Sequence, residues 1–252
     1  MIREHAANST WWGAPVGITH DASWLELGGD ERERLFGPFA WVELRCALDD
    51  APSPALLAAA GFFWIDTQVE FRIALKGRTA TVPAERSVDA LSAVFADEAP
   101  FRRSFDDAAP FTCERYLALP GVDQATLDAR FHAWATSLKS AHPAHALELR
   151  RGDDVEGWFL AEPRAGASDT VALTLAMATK SSTSSGLVLY ERALRAFASR
   201  GARLGSARFS VRNTPVLNVY AALGARFTKT IGCWARLGRS YAPPGPPRGR
   251  PS

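Results

Sequence analysis

The sequence predicts a mixed α/β protein, because segments with the period of a strand alternate with segments with the period of a helix. Residues 65–75 alternate strictly between apolar and polar side chains, which is typical of a strand with one buried face. Residues 123–138 carry apolar side chains three or four positions apart, which indicates an amphipathic helix capped by Asp123. Residues 144–161 form two apolar runs around Gly152-Asp153-Asp154, which predicts a hairpin.

Composition and charge exclude several classes of function. Of the 252 residues, 47% are hydrophobic and 22% are charged, as in an ordinary globular protein. The net charge of +2 is too small to indicate a nucleic-acid partner. No apolar run approaches the ~20 residues that span a bilayer, so we expect no membrane partner. Cys46, Cys113 and Cys233 lie far apart, which favours reduced thiols in a cytoplasmic location and predicts no zinc site.

The first half of the chain predicts a smaller domain of residues 1–121. A short helix at 54–60 ends at Gly61 and leads into the alternating strand. A second helix is predicted to start at Ser87, whose hydroxyl would cap it before an apolar stripe made by Leu91, Val94 and Phe95. The stretch 99–121 contains several prolines and little periodicity, and we place the domain boundary there.

The second half, residues 122–240, predicts an ordered succession of strands and helices. After the hairpin, the nearly continuous apolar run at 170–178 predicts a strand buried on both faces. The predicted elements that follow are a polar loop at 179–185, a helix ended by Gly201, a strand at 203–211, a helix opened by Thr214-Pro215 and a strand at 227–237. The Pro/Gly/Arg-rich tail, residues 241–252, is predicted to be disordered.

The loop Lys180-Ser181-Ser182-Thr183-Ser184-Ser185-Gly186 is a candidate anion site. It lies between a predicted buried strand and a helix N-terminus, where free backbone N–H groups and the helix dipole favour negative charge. The serine hydroxyls add donors and Lys180 adds a charge. The alternative is a serine-rich turn that does no more than cap the helix.

A later stretch carries a resemblance to a known family. In Asn213-Thr214-Pro215-Val216-Leu217-Asn218-Val219-Tyr220, followed by Gly224-Ala225, the spacing resembles that of the GCN5-related N-acetyltransferases. The resemblance covers about residues 123–237, and the order of predicted elements agrees throughout. It implies a mixed, mostly antiparallel sheet flanked by helices, preceded here by a smaller N-terminal domain of similar type.

The resemblance also implies the residues that would bind acetyl-CoA. Tyr220 would be the general acid that protonates the leaving thiolate, with a core tyrosine as the alternative. Asn213 would contact the cofactor, with a helix N-cap as the alternative. In the family, the loop amides hold the pyrophosphate and the preceding strand bonds the pantetheine arm. The implied cofactor-binding set is Leu175, Met177, Ala178, Lys180, Ser181, Ser182, Thr183, Ser184, Ser185, Gly186, Leu187, Asn213 and Tyr220.

The loop departs from the family pattern at two of its three marked positions. Ser181 stands where the family has Arg or Gln, and Ser184 stands where it has the first glycine, whereas Gly186 matches. Serine keeps the backbone amides but has less conformational freedom than glycine. The departure bears on how firmly coenzyme A is held.

The sequence offers several candidates for the general base and only two histidines as candidate metal ligands. Glu148, Asp154, Glu156 or a water chain can deprotonate the acceptor amine, and each of the three carboxylates can equally be a solvated charge of the hairpin. His142 and His145 lie three residues apart with no third ligand nearby, so we predict no metal site.

The first half resembles the leading domain of two-domain acetyltransferases of the TDP-fucosamine acetyltransferase type. The resemblance rests on residues 60–71 and 101–107, and it implies an N-acyltransferase that acetylates a primary amine, such as the amino group of a nucleotide-linked sugar. Trp11, Trp12 and Trp24 can stack on a sugar or base, or can simply pack. A homodimer is one assembly compatible with this type. The alternative function is a non-catalytic module that binds a small molecule or a partner.

Overall fold

The computed structural model describes residues 1–78 and 90–244, and the strands in these residues form one continuous sheet. The strands are Arg3–Glu4 (β1), Val16–Thr19 (β2), Trp41–Ala47 (β3), Phe62–Ala74 (β4), Ser92–Phe95 (β5), Ala146–Arg151 (β6), Asp154–Arg164 (β7), Ala167–Ala178 (β8), Leu204–Ser210 (β9) and Arg226–Leu237 (β10).

The α-helices of the described residues pack against this sheet. They are Ala6–Trp12 (α1), Gly29–Phe36 (α2), Pro54–Ala59 (α3), Gln124–Ala141 (α4), Gly186–Ser199 (α5) and Thr214–Ala222 (α6). Side-chain caps begin the last three, since Asp123, Ser185 and Asn213 each accept a hydrogen bond from the backbone N–H three residues on. None of the described helices combines the length and the apolar character that a bilayer crossing requires.

The strand order interleaves the two halves of the chain. The order is β1-β2-β3-β10-β4-β9-β8-β7-β6-β5, so β4 of the first half lies between β9 and β10 of the second. Among the strands of the described residues, only β2–β3 and β8–β9 are parallel pairs. The predicted mixed, mostly antiparallel sheet flanked by helices is therefore confirmed, whereas the division into domains at residues 121 and 122 stays a prediction.

The two faces of the sheet bury different helices, as β7 shows. Trp158 and Leu160 pack in the cluster that contains α4, whereas their neighbours Phe159 and Ala161 pack in the cluster that contains α5 and Tyr220 of α6. This alternation follows from the two-residue period of a strand. A third cluster, built around Trp24, joins α2 and α3 to β3 and β4.

The prediction of a helix that starts at Ser87 is wrong, because the residues of its apolar stripe do not form a helix. Ser87 itself lies outside the described residues. Val94 and Phe95 belong to β5, which pairs antiparallel with β6, and Leu91 precedes that strand. A run of five residues fits a helical stripe and a short strand equally, and pairing with β6 favours the strand.

Two burial predictions need correction. In β8, Leu173, Thr174 and Ala176 are only partly buried, because their neighbour β9 turns away from them. In β4, the polar positions Asp66 and Gln68 are buried, so the polar face of this strand is not a solvent face. Gln68 and the three partly buried residues of β8 line the same cavity.

The tail predicted to be disordered falls mostly outside the described residues, which end at 244. Tyr241, its first residue, is described and is not free: its hydroxyl donates to the Pro120 carbonyl at 2.6 Å, and its ring lies 5.4 Å from that of Trp12.

The close approach of β7 to β8 predicts the effect of a small substitution. A Cβ atom at Gly157 would lie 2.5 Å from the Met177 carbonyl oxygen, a backbone atom that cannot move alone. We expect Gly157→Ala to lower the free energy of unfolding by about 1–3 kcal/mol, measured by urea denaturation. Gly29→Ala is the control, because nothing lies within 4 Å of its Cβ position. Equal stability of the two variants would contradict this packing.

Candidate functional site

The parallel strands β8 and β9 diverge and form a fork. They pair only from Thr170 to Ala172 on β8, opposite Leu204 to Ser206 on β9. Beyond Ala172, β8 continues to pair with β7 on its other side, as far as Ala178. On the side towards β9, residues 173–177 have no strand partner in the described part of the chain. Their backbone groups are therefore free to bond a ligand.

A β-bulge lies where the fork opens. Leu175 pairs with Leu160 and Leu173 with Ala161, so Thr174 is the extra residue. The Thr174 hydroxyl donates to Glu162 Oε2 at 2.8 Å, which fixes the bulge against β7. Bulges redirect a strand and are frequent beside active sites.

The fork opens into a cavity of about 1180 Å³. This volume is at the upper end of ordinary ligand sites and is large enough for two substrates. Both halves of the chain line it. Its walls include His5, Trp11, Trp12, Arg45, Gln68, Glu114, Arg115, Tyr116, Arg130, Phe131, Trp134, Glu162, Leu173, Thr174, Leu175, Ala176, Tyr190, Ala207, Arg208, Phe209, Asn213, Val216 and Tyr220.

Tyr220 lines this cavity from α6 and is held by aromatic neighbours. It is 5% exposed, and its ring centroid lies 4.1 Å from Phe71 and 5.0 Å from Tyr190. Burial raises the pKa of its phenol well above the usual value, and the nearby Tyr190 adds to the shift. The phenol therefore stays protonated at neutral pH and can act as a proton donor.

Asn213 caps α6 and also lines the cavity. Its Oδ1 accepts from the Val216 N–H at 3.3 Å, so the N-cap role is present in the structure. The side-chain amide nitrogen carries two donors that this cap does not use. The predicted cofactor contact remains a prediction, and the two roles are compatible.

The serine-rich loop is held by a carboxylate of the protein itself. Glu156 Oε2 accepts from the N–H groups of Thr183 at 2.9 Å and Ser184 at 3.1 Å, and from the Ser182 hydroxyl at 2.7 Å. Burial alone would raise the pKa of Glu156, but these hydrogen bonds lower it from 4.5 to about 2. The Glu156 carboxylate thus occupies two of the amides expected to hold a phosphate.

Other donors remain beside the loop. The N–H groups of Gly186 and Leu187, in the first turn of α5, have no hydrogen-bond acceptor among the described residues. Arg151 contacts the preceding loop: its Nη2 donates to Ser184 Oγ at 2.9 Å and its Nε to Glu156 Oε1 at 3.4 Å. Sequence reasoning missed Arg151, which belongs to β6 and has no local motif.

The structure brings together only part of the predicted set. Leu175, Asn213 and Tyr220 line the cavity. The buried Met177 does not, and the Ala178 carbonyl accepts from the Ala109 N–H at 2.9 Å, which closes the far end of the fork. The loop residues also lie outside the cavity lining: Lys180, Ser181, Ser182, Thr183, Ser184, Ser185, Gly186 and Leu187.

The carboxylates proposed as bases lie elsewhere. Glu148 is fully buried and accepts from the Arg150 Nε at 2.6 Å and the Trp158 Nε1 at 3.1 Å, which makes it a structural group. Asp154 is exposed in the hairpin, and Glu156 holds the loop. Glu114 and Glu162 line the cavity instead. Neither has a local sequence signal, because Glu114 lies in the aperiodic stretch before α4 and Glu162 lies near the end of β7.

A cluster of three guanidinium groups also lines the cavity. Its members are Arg45, Arg115 and Arg130. The fully buried Glu43 accepts from the Arg45 Nη2 at 2.6 Å and from the Arg115 Nε at 2.7 Å. Burial would raise the pKa of Glu43, yet the two guanidinium groups lower it well below its usual range. Sequence reasoning missed this cluster, whose members come from separate elements.

His142 and His145 do not form part of a metal site in the structure. Among the described residues, no three His, Cys, Asp or Glu side chains are grouped as metal ligands. The nearest carboxylate contact of His142 is Glu162 Oε1 at 3.9 Å.

Comparison with known proteins supports the fold. No family model and no curated protein matches the sequence. A GCN5-related N-acetyltransferase from Sphaerobacter thermophilus matches with a TM-score of 0.51 and 15% identity, over 84% of this chain and 67% of that one. A functionally unknown protein from Staphylococcus epidermidis matches with a TM-score of 0.58 and 9% identity, over 92% and 88%.

A third solved structure has the same type of fold within a longer protein. It is a GCN5-related glucosamine N-acetyltransferase region of a fungal multi-domain beta-N-acetylglucosaminidase, with a TM-score of 0.52 and 8% identity. The match covers 79% of this chain and 26% of that one. These likenesses establish that the chain has the fold of the GCN5-related N-acetyltransferases.

The Glu156 contact predicts a pH-dependent stability. Because its pKa is lowered on folding, its contribution is complete above the ordinary pKa of 4.5 and is lost as the pH falls towards about 2. We expect Glu156→Gln to lower the free energy of unfolding by about 2 kcal/mol at neutral pH. Urea denaturation of both proteins between about pH 7 and pH 2.5 should show this difference shrinking below pH 4.5.

Asp154→Asn, an exposed carboxylate on the same strand, is the control and should change stability by less than about 0.5 kcal/mol. A Glu156→Gln effect that stays constant across the pH range would show that the carboxylate does not hold the loop.

Proposed function

We propose that this protein transfers an acetyl group from acetyl-CoA to a primary amine. The observation that carries the proposal is the fork between β8 and β9, which opens beside the buried phenol of Tyr220 in a cavity lined by both halves of the chain. The fold supports the same activity, since solved structures of this fold include N-acetyltransferases. Fold alone does not determine function, so the argument rests on the site.

The fork fits the pantetheine arm of coenzyme A. That arm is an extended chain with two amide groups, and it can pair with a strand edge as a further strand does. Residues 173–177 present such an edge, and Leu175 and Ala176 line the cavity at that point. Phe209 on β9 supplies an apolar wall across the gap.

The diphosphate has a smaller set of donors than the predicted loop would supply. The amides of Thr183 and Ser184 are bonded to Glu156. The amides of Gly186 and Leu187 remain, at the positive end of the α5 dipole, and the guanidinium of Arg151 contacts the loop at Ser184. Arg151 thus adds a charged donor near the loop in which Ser181 stands at the family's Arg or Gln position. The residues present fit coenzyme A with this substitution of donors.

Tyr220 carries the acid step. Acetyl-CoA supplies a thioester whose carbonyl carbon accepts the lone pair of the amine, after which the C–S bond breaks and a thiolate leaves. Tyr220 is neutral and lines the cavity, so it can give its proton to that sulfur. A backbone N–H of β8 near Leu175 can polarise the carbonyl oxygen.

Glu114 is the best-placed base for the acceptor amine. Burial raises the pKa of Glu114, although Arg115 opposes the shift, and a raised pKa makes a carboxylate a stronger base. Its backbone carbonyl accepts from the Arg212 Nη2 at 3.5 Å, which ties it to the turn that carries Asn213. Glu162, the other cavity carboxylate, is engaged by Thr174.

The amino group of a nucleotide-linked sugar remains our proposed acceptor. Trp11 and Trp12 line the cavity, but Trp12 is 6% exposed and packs against Trp41 and Tyr241, so the indole of Trp11 is the one that can stack on a sugar or base. Trp24 does not take part, because it is buried against Phe36 and Phe62 in the third core cluster.

A non-catalytic binding module is the second candidate. The observation that favours it is Glu156, whose carboxylate takes loop amides that a phosphate would otherwise use. In such a module the cavity would bind a small molecule, and Tyr220 would only pack against Phe71.

The acid role of Tyr220 predicts a selective loss of turnover. We expect Tyr220→Phe to lower kcat by about 100-fold or more while leaving the Kd for acetyl-CoA within about 3-fold, since only the proton donor is removed. Release of coenzyme A thiol in the presence of an amine measures the rate. Tyr190→Phe, the same change in the same cavity, is the control. An equal fall in both variants, or none in Tyr220→Phe, would remove this phenol from the mechanism.

The base role of Glu114 predicts a change in the pH profile. Below its raised pKa the carboxyl is protonated and cannot accept a proton, so kcat/KM should fall on the acid side at a pH above the ordinary 4.5. We expect Glu114→Gln to lower kcat/KM by about 100-fold and to remove that limb. Glu162→Gln is the matched control. Retention of the limb in Glu114→Gln would assign the base elsewhere.

A further inference from the structure

One face of α4 forms a wall of the cavity and carries a charge that forms no ion pair within residues 1–78 and 90–244. Arg130 and Trp134 lie one turn apart on this face. The other residues of the face that line the cavity are small: Thr126, Ala129, Ala133 and Ser137. The small side chains leave space in front of the Arg130 guanidinium.

Arg130 has no ion pair among the described residues. Its Nη2 donates to Asn8 Oδ1 at 2.8 Å, and its Nε is buried without an acceptor in that part of the chain. The rings of Tyr116 and Trp11 hold the guanidinium from its faces, with centroids 4.7 and 5.2 Å from Cζ. Aromatic faces stabilise a cation but leave its charge in place, and its N–H edge stays available for an anion.

The nearby carboxylates do not balance the positive charge of the guanidinium cluster. Arg45 and Arg115 share the single carboxylate of Glu43, and Arg115 also lies 3.5 Å from Glu114. Three guanidinium groups therefore face two carboxylates. Arg208, which also lines the cavity, is already paired with Glu70 at 3.0 Å. The unmatched positive charge is thus local to the guanidinium cluster, where a buried charge without a partner is costly.

We infer that the guanidinium cluster, through Arg130, binds an anionic group of the acceptor, so that the acceptor is an amine that also carries a carboxylate or a phosphate. A planar guanidinium donates two parallel hydrogen bonds to either oxyanion. The cluster would hold the acidic end of the acceptor while the amine reaches the fork. This inference rests on the proposed function for the amine, but the anion site itself does not.

Binding of three matched probes tests the inference without an acyl donor. The probes are 4-(aminomethyl)benzoate, 4-(aminomethyl)phenyl phosphate and the neutral 4-(aminomethyl)benzamide, titrated by calorimetry into the whole protein. We expect at least one acidic probe to bind about 10-fold or more tightly than the amide. The tighter acid identifies the group as carboxylate or phosphate. Binding of the amide as tightly as both acids, or no binding of any probe, would overturn the inference.

Two substitutions locate the site. Arg130→Gln should remove the preference for acids, and Arg130→Lys, which keeps the charge but not the two parallel donors, should retain a preference reduced about 3-fold or more. Arg208→Gln is the matched control and should keep the wild-type preference, because Glu70 already neutralises Arg208. Loss of the preference in Arg208→Gln alone would place the anion elsewhere. Since no acetyl-CoA is present, failure here leaves acyl transfer standing, and failure of the Tyr220 test leaves the anion site standing.

Discussion

The fork between β8 and β9 is the constraint on which the rest of the site depends. Had the two strands paired along their full length, residues 173–177 would be an ordinary sheet interior with every backbone group satisfied. Their pairing stops at Ala172, and the bulge at Thr174 turns the remaining strand aside. The cavity, its apolar wall and the unpaired strand edge all follow from this divergence. The position of α6 then brings Tyr220 into the cavity wall.

The first half of the chain completes both the sheet and the site. By lying between β9 and β10, β4 gives β9 a full partner on one side, so that β9 can leave β8 on the other. The same strand presents Gln68 to the cavity, and its neighbourhood supplies Arg45, Arg115 and Glu114. This side of the cavity is therefore built by residues far in sequence from the fork. Charges concentrate there, whereas the fork is mostly apolar.

Local patterns predicted much of the fold, but little of the chemistry away from α6. The caps Asp123 and Asn213 are short-range signals, so α3 to α6 and their order were readable from the sequence, whereas α1, α2 and β1 to β3 were not predicted. The five residues around Val94 carry too little periodicity to separate helix from strand. The contact of Glu156 with Ser184 spans 28 residues, and that of Arg130 with Asn8 spans 122. Such contacts depend on the strand order, which no local pattern encodes.

The most direct test of the fork is a calorimetric titration of the purified protein with acetyl-CoA and, separately, with acetyl-pantetheine, which lacks the diphosphate. The account predicts that acetyl-CoA binds with a Kd of order 1–100 μM and that acetyl-pantetheine binds at the same site more weakly, because the fork alone holds the pantetheine arm. Failure of both to bind at millimolar concentration would contradict the account. Glu156 would then mark a loop that no longer takes a phosphate, and a non-catalytic binding module would be the better description.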